Sequence, residues 1–362
     1  MSMEKEFEQA WEQNKLERYN LAVLGATGVG KSTLINAVFG GDLARTGVGK
    51  PVTQHVSLYK NDEGTLGLYD FKGSESFDEM RGFVQNFKNI YRERVDEGEP
   101  IHGVWFCVKA SDRRFDDAQR KLLDEINDLG VPVILVVTQT PFKPDIGFPP
   151  DVVEFLRFLA DADLPIVSKE PIPVAAVDDH FLGTKAHGLD RLVEVSITAA
   201  PKGVAPALVA AQRIDLERKR SEANGAITLA TVTATGIGAT PIPMTDAALL
   251  APVQLGMMRK VASIYGIPLT KDAGVTIATQ LTVAAAGKAA ATSLLKLVPG
   301  FGVVITGTIA GTFTAAVGYA WRAICELDYQ EKLNLADMFE EGSVVDTMLG
   351  LVRENLTNLG KQ

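Results

Sequence analysis

The chain has 362 residues, of which 46% are hydrophobic and 22% are charged, and its mean hydropathy is +0.09. This length and composition predict a folded protein with two domains and exclude an intrinsically disordered chain. The formal charge of −9 and the pI near 5.1 argue against broad nucleic-acid binding, which needs a basic surface. No nucleic-acid partner is therefore expected.

The N-terminal segment and the cysteines indicate the compartment. The first residues form an acidic amphipathic pattern with Phe7 and Trp11 one turn apart, which predicts a helix and not a secretion signal. Cys107 and Cys325 form no disulfide framework or zinc spacing, and the four histidines form no ligand pattern. A cytoplasmic protein is expected, either free or at the cytoplasmic face of the inner membrane.

After this helix, short apolar segments alternate with amphipathic ones. Predicted strands are Leu21–Leu24, Val56–Tyr59, Leu66–Tyr69, Val104–Val108, Val133–Val137 and Ile172–Ala175. Asp117–Leu129 and Asp151–Leu159 are predicted helices. The alternation predicts an α/β fold with a doubly wound, mostly parallel sheet.

From about residue 223 the composition shifts to Ala, Gly, Thr and Val, which predicts a following all-α domain. The predicted segments are an N-terminal helix 1–19, an α/β domain 20–200, a linker helix 201–222, an apolar helical domain 223–328 and a C-terminal helix 329–362. Within the linker, the charged run Asp215–Arg220 is typical of an exposed helix. Leu333–Met348 is predicted as one closing amphipathic helix.

The strongest motif lies between the strand Leu21–Leu24 and the helical run Thr33–Phe39. Gly25–Ser32 matches G-x-x-x-x-G-K-[ST], the P-loop pattern, in the strand-to-helix context that this motif requires. Its glycines let backbone N–H groups surround a phosphate, its lysine supplies a positive charge, and its serine hydroxyl ligates Mg²⁺. The predicted phosphate-binding residues here are Thr27, Gly28, Val29, Gly30, Lys31, Ser32 and Thr33.

A second motif, D-x-x-G, places Asp70 and Gly73 at the end of the strand Leu66–Tyr69. Asp70 is expected to hold Mg²⁺ through water, and the Gly73 amide to contact the terminal phosphate. Thr53 is either a switch residue that closes over the metal or a β-branched residue that opens a strand. Ser32, Thr53 and Asp70 are thus the predicted metal site.

With Pro51-Val52-Thr53 and the Ala175-Ala176 turn, these motifs resemble the Era-like GTPases of the TRAFAC class and the related immunity-related GTPases, over roughly residues 20–200. The resemblance implies a G domain that binds GTP or GDP with Mg²⁺ and moves two switch segments. It also implies a set of site residues. These are the switch residues Thr53, Asp70, Gly73 and Ser74 and the base-binding residues Thr138, Gln139, Ala175 and Ala176.

Two positions depart from this family. The base-reading motif [NT]-K-x-D aligns with Thr138-Gln139-Thr140-Pro141, which lacks the carboxylate that distinguishes guanine from adenine, so the choice of base is left open. Ser74 stands where several GTPases have a water-orienting glutamine. Slow hydrolysis is therefore expected, accelerated by a partner or by a homo-dimer formed in the GTP state. Arg113 and Arg114 are either charge donors to a second copy or ordinary exposed arginines.

The segment 223–327 resembles the YcjF-like helical domain that follows the G domain in many bacterial Era-like proteins. Thr245 fits a helix N-cap, and Gly266 with Pro268 fits a helix stop. Two charge-free stretches, 223–245 and 297–321, are long enough to span a bilayer. Their small residues, such as Gly307 and Gly311, suit both a membrane helix pair and a tight soluble bundle, so both alternatives stay open.

Three functions fit these observations. The first is a GTPase whose nucleotide state moves the helical domain, with residues 223–328 contacting a membrane or a protein effector. The second is a membrane-associated scaffold that binds nucleotide and turns it over slowly. The third is a P-loop ATPase, for which no second-substrate cluster is visible.

Overall fold

The computed structural model describes residues 3–41, 50–53, 56–71, 77–238, 246–286 and 309–348. Contacts divide the chain into two units. One comprises Glu17–Leu216, and the other combines Met1–Leu16 with Glu217–Gln362.

The Glu17–Leu216 unit contains a seven-stranded sheet with the order β2-β3-β4-β1-β5-β6-β7. The strands are β1 Tyr19–Leu24, β2 Lys50–Thr53, β3 Val56–Lys60, β4 Leu66–Phe71, β5 Gly103–Lys109, β6 Val133–Thr138 and β7 Ile172–Pro173. The pairs from β4 through β7 are parallel, whereas β3 pairs antiparallel with both β2 and β4. The mostly parallel sheet is confirmed.

Two strand predictions need correction. β7 ends at Pro173 instead of continuing to Ala175, because Ala175 pairs with His187 and not with β6. β2 was not predicted at all. It is a four-residue edge strand that contains Pro51, a residue that sheets tolerate at their edges.

Helices connect the strands of this unit. They are α2 Lys31–Phe39, α3 Phe77–Asp96, α4 Asp117–Asn127, α5 Pro150–Asp161, α6 Leu189–Ala199 and α7 Ala205–Ala211. Asp116 caps α4 through a capping box with Gln119, which explains why the helix begins there. Every residue of β1 and β6 is buried, as expected for central strands covered on both faces.

The second unit is helical. Its helices are α1 Met3–Gln13, α8 Leu216–Gly238, α9 Asp246–Tyr265, α10 Lys271–Ala286, α11 Ile309–Tyr329 and α12 Leu335–Glu341. α1 lies within the predicted N-terminal helix 1–19 but ends at Gln13, and its Phe7 packs with Leu255 of α9 and Ala278 of α10. The helical unit therefore combines the chain segments that precede and follow the α/β unit in the sequence.

Charge-poor helices pack closely in the helical unit. Gly311 of α11 lies against α8, because a Cβ added there would be 2.1 Å from Thr235 Oγ1. Gly307, parts of both charge-free stretches and the proposed cap Thr245 lie outside the described residues. Across the helices that the structure describes, none is long and apolar enough to cross a membrane.

The charged run at the start of α8 was predicted to be exposed, and the structure bears this out for Glu217 and Arg218 but not for Lys219. Lys219 is 1% exposed, and its ammonium donates to the Ile264 carbonyl over 2.7 Å and lies 5.1 Å from the centre of the Tyr329 ring. Arg220 forms an ion pair with Glu326 of α11. The buried charge of Lys219 is tolerated because the ammonium has these partners.

The ends of two later helices test the predicted stops. α9 ends at Tyr265 and is followed by Gly266 with φ of 75°, which confirms the predicted glycine stop. The prediction of a single helix over Leu333–Met348 is wrong. α12 begins after the Asn334 cap and ends at Glu341. The following Gly342, with a φ of 68°, breaks the helix, and residues 344–348 are helical again.

Candidate functional site

The P-loop segment Gly25–Ser32 leads from the carboxyl end of β1, the central strand, into the first turn of α2. Gly25, Gly28 and Gly30 have φ values of 140°, 80° and 95°, conformations that favour glycine. At Gly25 space is limiting as well, since an added Cβ would lie 2.3 Å from the Cys107 carbonyl oxygen. These glycines therefore let the loop curl tightly beside β5 and deliver Lys31 to the first turn of α2.

The Lys31 ammonium is held inside this loop. Its Nζ donates to the Gly25 carbonyl over 2.7 Å and to the Ala26 carbonyl over 3.0 Å. Burial lowers the pKa of Lys31, while the nearby Asp70 acts in the opposite direction. Two of its three N–H donors serve the loop, which leaves one donor for a phosphate oxygen.

Asp70 lies on β4, in register with Val23 of β1. Burial raises the pKa of Asp70, and the positive charge of Lys31 opposes that shift. Among the described residues, the buried Asp70 Oδ1 has no hydrogen-bond partner. A buried carboxylate oxygen without a donor, close enough to Lys31 to interact with its charge, fits a Mg²⁺ site.

The other predicted phosphate and switch residues are less fully described. Thr53 ends β2, but its side chain lies outside the described part of the structure. Gly73 and Ser74 also lie outside the described residues. The roles of these three residues stay predictions.

A cavity of about 390 Å³ opens beside the loop. All four predicted base-binding residues line it: Thr138, Gln139, Ala175 and Ala176. Gly30 and Thr33 form the side nearest the phosphate loop. Its volume falls in the range of small-molecule sites. The structure thus places two of the predicted phosphate residues beside the four predicted base residues, and their roles in binding stay predictions.

Thr138 and Gln139 tie this cavity to the P-loop. The Thr138 hydroxyl lies 2.5 Å from the Val29 carbonyl oxygen, and the Gln139 amide donates to the Gly28 carbonyl over 3.2 Å. Gln139 has a φ of 55°. A non-glycine residue in this region stores about 1–3 kcal/mol of strain, a feature often found at functional sites.

The outer wall of the cavity was not predicted from the sequence. Residues 175–187 form a narrow hairpin, with backbone bridges between Ala175 and His187 and between Asp179 and Thr184. Asp179, Leu182 and Thr184 of this hairpin line the cavity. The segment lacks strand or helix periodicity, and only its Asp and Gly residues signalled a turn.

An aromatic cluster supports the turn after β6. His187 Nε2 lies 2.8 Å from the Thr140 carbonyl oxygen, so this nitrogen carries the proton. The ring of His187 lies 5.4 Å from that of Phe142 and 5.5 Å from that of Phe148. This packing fixes Thr140 and Pro141 at the cavity wall.

The loop after β5 carries the two candidate charge donors. Arg113 has a φ of 48° and forms an ion pair with Asp151 at the start of α5. Its guanidinium thus has a partner within its own chain, and both Arg113 and Arg114 are exposed. A role in a second copy stays a prediction.

Comparison with known proteins finds two family matches. Residues 20–139 match the family described as 50S ribosome-binding GTPase. Residues 207–341 match a domain of unknown function, DUF697.

Two curated relatives match parts of the chain. Magnetosome membrane protein 22 of Magnetospirillum gryphiswaldense is 35% identical over 86 residues, which cover 22% of this chain and 44% of that protein. GTP-binding protein A of Dictyostelium discoideum is 30% identical over 112 residues, which cover 30% of this chain and 24% of that protein. The chain thus spans less than half the length of either relative.

Solved structures also resemble the chain. A probable GTP-binding protein engB is 20% identical with a TM-score of 0.34, over 50% of this chain and 97% of that one. Era in complex with MgGDPNP and a segment of 16S ribosomal RNA is 20% identical with a TM-score of 0.33, over 52% of this chain and 58% of that one.

Proposed function

We propose that this chain, a P-loop GTPase with a C-terminal helical domain, hydrolyses GTP to GDP and phosphate and works as a nucleotide-dependent switch. The observation that carries this proposal is the position of Lys31. Its ammonium is held in the P-loop, its charge interacts with that of the buried Asp70, and Gly30 of the same loop borders the cavity of about 390 Å³. In such a site the loop suits the triphosphate of a nucleotide and the cavity suits its purine base.

The residues of the loop can perform three tasks in this reaction. The backbone N–H groups of the loop and the N-terminus of α2 attract the phosphates. Lys31 neutralises charge that develops on the phosphate oxygens as the terminal phosphoryl group leaves. Thr138 and Gln139 donate hydrogen bonds to the carbonyls of Val29 and Gly28, which keeps the P-loop aligned with the base cavity.

Ser32, Thr53 and Asp70 are the residues proposed to hold Mg²⁺. A bound Mg²⁺ would neutralise charge shared by the two terminal phosphates. The unpartnered Oδ1 of Asp70, among the described residues, supports this assignment because a water on the metal would supply the missing donor.

The switch itself is proposed to work through Thr53, Gly73 and Ser74, which would close on the terminal phosphate of GTP and open after hydrolysis. Because Ser74 is short, we expect slow hydrolysis that a second copy of the chain or another partner accelerates. The helical segment 223–328 is the proposed effector surface, facing a membrane or a protein.

Lys31→Ala tests the proposal most directly. Binding of labelled GTP with Mg²⁺ to the full chain should fall by at least about 100-fold in this variant, since a charged contact to the phosphates is lost. Lys121→Ala, an exposed lysine on α4, is the control and should bind as the wild type does. Equal GTP binding by Lys31→Ala and wild type would overturn the proposal.

A second candidate is a low-turnover, membrane-associated scaffold. Two side chains on α8 support it, because Leu229 is 70% exposed and Val232 is 64% exposed. The name of one relative, a magnetosome membrane protein, points the same way. Phosphate release measured against protein concentration separates the two candidates: a switch accelerates as copies meet, whereas a scaffold stays slow at every concentration.

A further inference from the structure

Asp179 is the one ionisable residue among the described residues that line the cavity beside the P-loop. The remaining lining groups are apolar side chains, glycine, threonine hydroxyls and the Gln139 amide. Pro141, which stands where the family has its base-reading carboxylate, lines the same cavity. Asp179, an exposed residue, thus brings a carboxylate to the wall of this cavity from a different segment of the chain.

Asp179 is held in a fixed position by its own hairpin. Its backbone exchanges two hydrogen bonds with Thr184, of 2.9 and 3.0 Å. Its Oδ1 accepts the N–H groups of Phe181 and Leu182, each over 2.9 Å. These four bonds set the backbone and the side-chain rotamer, so little conformational entropy would be lost when a ligand meets the carboxylate.

Both side-chain hydrogen bonds that Asp179 forms with the described residues go to Oδ1, which leaves Oδ2 for a ligand. An ionised carboxylate oxygen has two lone-pair sites. Guanine presents two adjacent donors on one edge, the ring N1–H and the exocyclic amine. Adenine presents a ring nitrogen acceptor on the corresponding edge, which would face the negative charge without a hydrogen bond.

We propose that Asp179 is the residue that reads guanine in this protein, in place of the carboxylate that Pro141 has replaced. The inference rests on the proposed GTP binding and deepens it. Asp179 receives the N1–H and the exocyclic amine of the base through Oδ2, while Oδ1 stays bonded to the turn. The specificity for guanine then comes from the hairpin 175–187 and not from the turn after β6.

Asp179→Asn in the full chain tests this assignment. The amide keeps an Oδ1 acceptor for the turn but replaces the charged acceptor with a donor. Binding of GTP with Mg²⁺ should therefore weaken by about 10- to 100-fold, as expected for the loss of charge-assisted hydrogen bonds. Binding of xanthosine triphosphate should weaken less, because xanthine carries a carbonyl oxygen, which the amide N–H can meet, where guanine carries the amine. The affinity for xanthosine triphosphate should therefore gain on that for GTP, and misfolding cannot produce such a change in the ratio.

Asp178→Asn is the matched control. Asp178 lies on the same hairpin and pairs with Lys185 over 2.6 Å, but it does not line the cavity. The control should leave the binding of GTP, ATP and xanthosine triphosphate unchanged. Wild-type protein should also bind inosine triphosphate, which lacks the exocyclic amine, several-fold more weakly than GTP, and this comparison needs no variant.

The outcomes separate this inference from the proposed function. If the wild type binds GTP and Asp179→Asn shows unchanged GTP affinity and no gain for xanthosine triphosphate relative to GTP, Asp179 only closes its turn and the inference falls. Equal binding of GTP and ATP by the wild type also overturns it, while triphosphate binding at the P-loop stands. A wild type that binds no triphosphate overturns both.

Discussion

At the end of β4, Asp70 is a carboxylate whose environment disfavours its charge. Burial raises the pKa of Asp70, and Lys31 offsets only part of that effect. Without a bound ligand, the ionised group costs folding free energy because it has lost hydration and Oδ1 has gained no donor from the described residues. A buried carboxylate without a donor is therefore kept at the expense of stability, as at many functional sites.

Asp70→Asn should stabilise the nucleotide-free protein and impair its activity. Since the folded pKa lies above the unfolded one, the wild type loses stability as pH rises through this interval, whereas the neutral amide does not. At neutral pH the variant should unfold at a higher temperature, by about 2–4 °C for each kcal/mol recovered. The proposed Mg²⁺-dependent GTP hydrolysis should fall by about 10- to 100-fold.

Thermal unfolding between about pH 4 and 8 without nucleotide, together with phosphate release, measures both effects. Asp62→Asn, at an exposed turn position after β3, is the control and should change neither. A variant that is less stable than the wild type at neutral pH would contradict this account of Asp70.

At the scale of single elements, glycines set how closely the helices of the helical unit approach. Gly318 of α11 faces α8 and α9, because an added Cβ would lie 2.7 Å from Met257 Sδ and 2.8 Å from Ile227 Cγ2. Both neighbours are almost fully buried, at 2% and 1% exposure. They have little room to move aside.

Gly318→Ala should destabilise the helical unit by about 1–3 kcal/mol through overpacking, although alanine favours helix. Gly225→Ala on α8 is the matched control, since a Cβ there meets nothing within 4 Å. That substitution should stabilise by about 0.5–1 kcal/mol. Urea unfolding of both variants measures the difference, and shifts of the same sign would rule out the packing argument.

Elements with strong local patterns could be predicted from the sequence. The strands β1, β4, β5 and β6 are apolar runs, and the P-loop follows from its residue types and its place between a strand and a helix. Asp70 followed from the D-x-x-G motif at the end of a strand, whereas the cavity residues Thr138 and Ala175 followed from the resemblance to the Era-like GTPases.

Other features depend on tertiary contacts that no local pattern records. Lys219 appears in a charged run typical of an exposed face, yet the Ile264 carbonyl and the Tyr329 ring stabilise it in the interior. Asp179 could not be assigned to the base cavity, because only the hairpin bridges bring it there. β2 is short and contains a proline, so pairing with β3 and not propensity makes it a strand.

At the scale of the whole molecule, the helical unit depends on a segment far away in the sequence. Trp11 of α1 packs on the cluster formed by Phe7, Leu255 and Ala278, and the guanidinium of Arg259 lies 4.1 Å from the centre of its ring. Arg259 also donates to the Trp11 carbonyl. The described contacts of α1 therefore complete a unit whose other helices follow the α/β unit in the chain.

Trp11→Ala should loosen the helical unit specifically. We expect a loss of about 2–4 kcal/mol from the aromatic packing and the cation–π contact. Amide hydrogen exchange should accelerate in α9 and α10, which pack on α1, and stay unchanged in β1, β5 and β6 of the other unit. Glu4→Ala, an exposed position on the same helix, is the control. Faster exchange in the central strands would instead indicate that the two units unfold together, and the division of the chain by its contacts would then not describe its cooperative units.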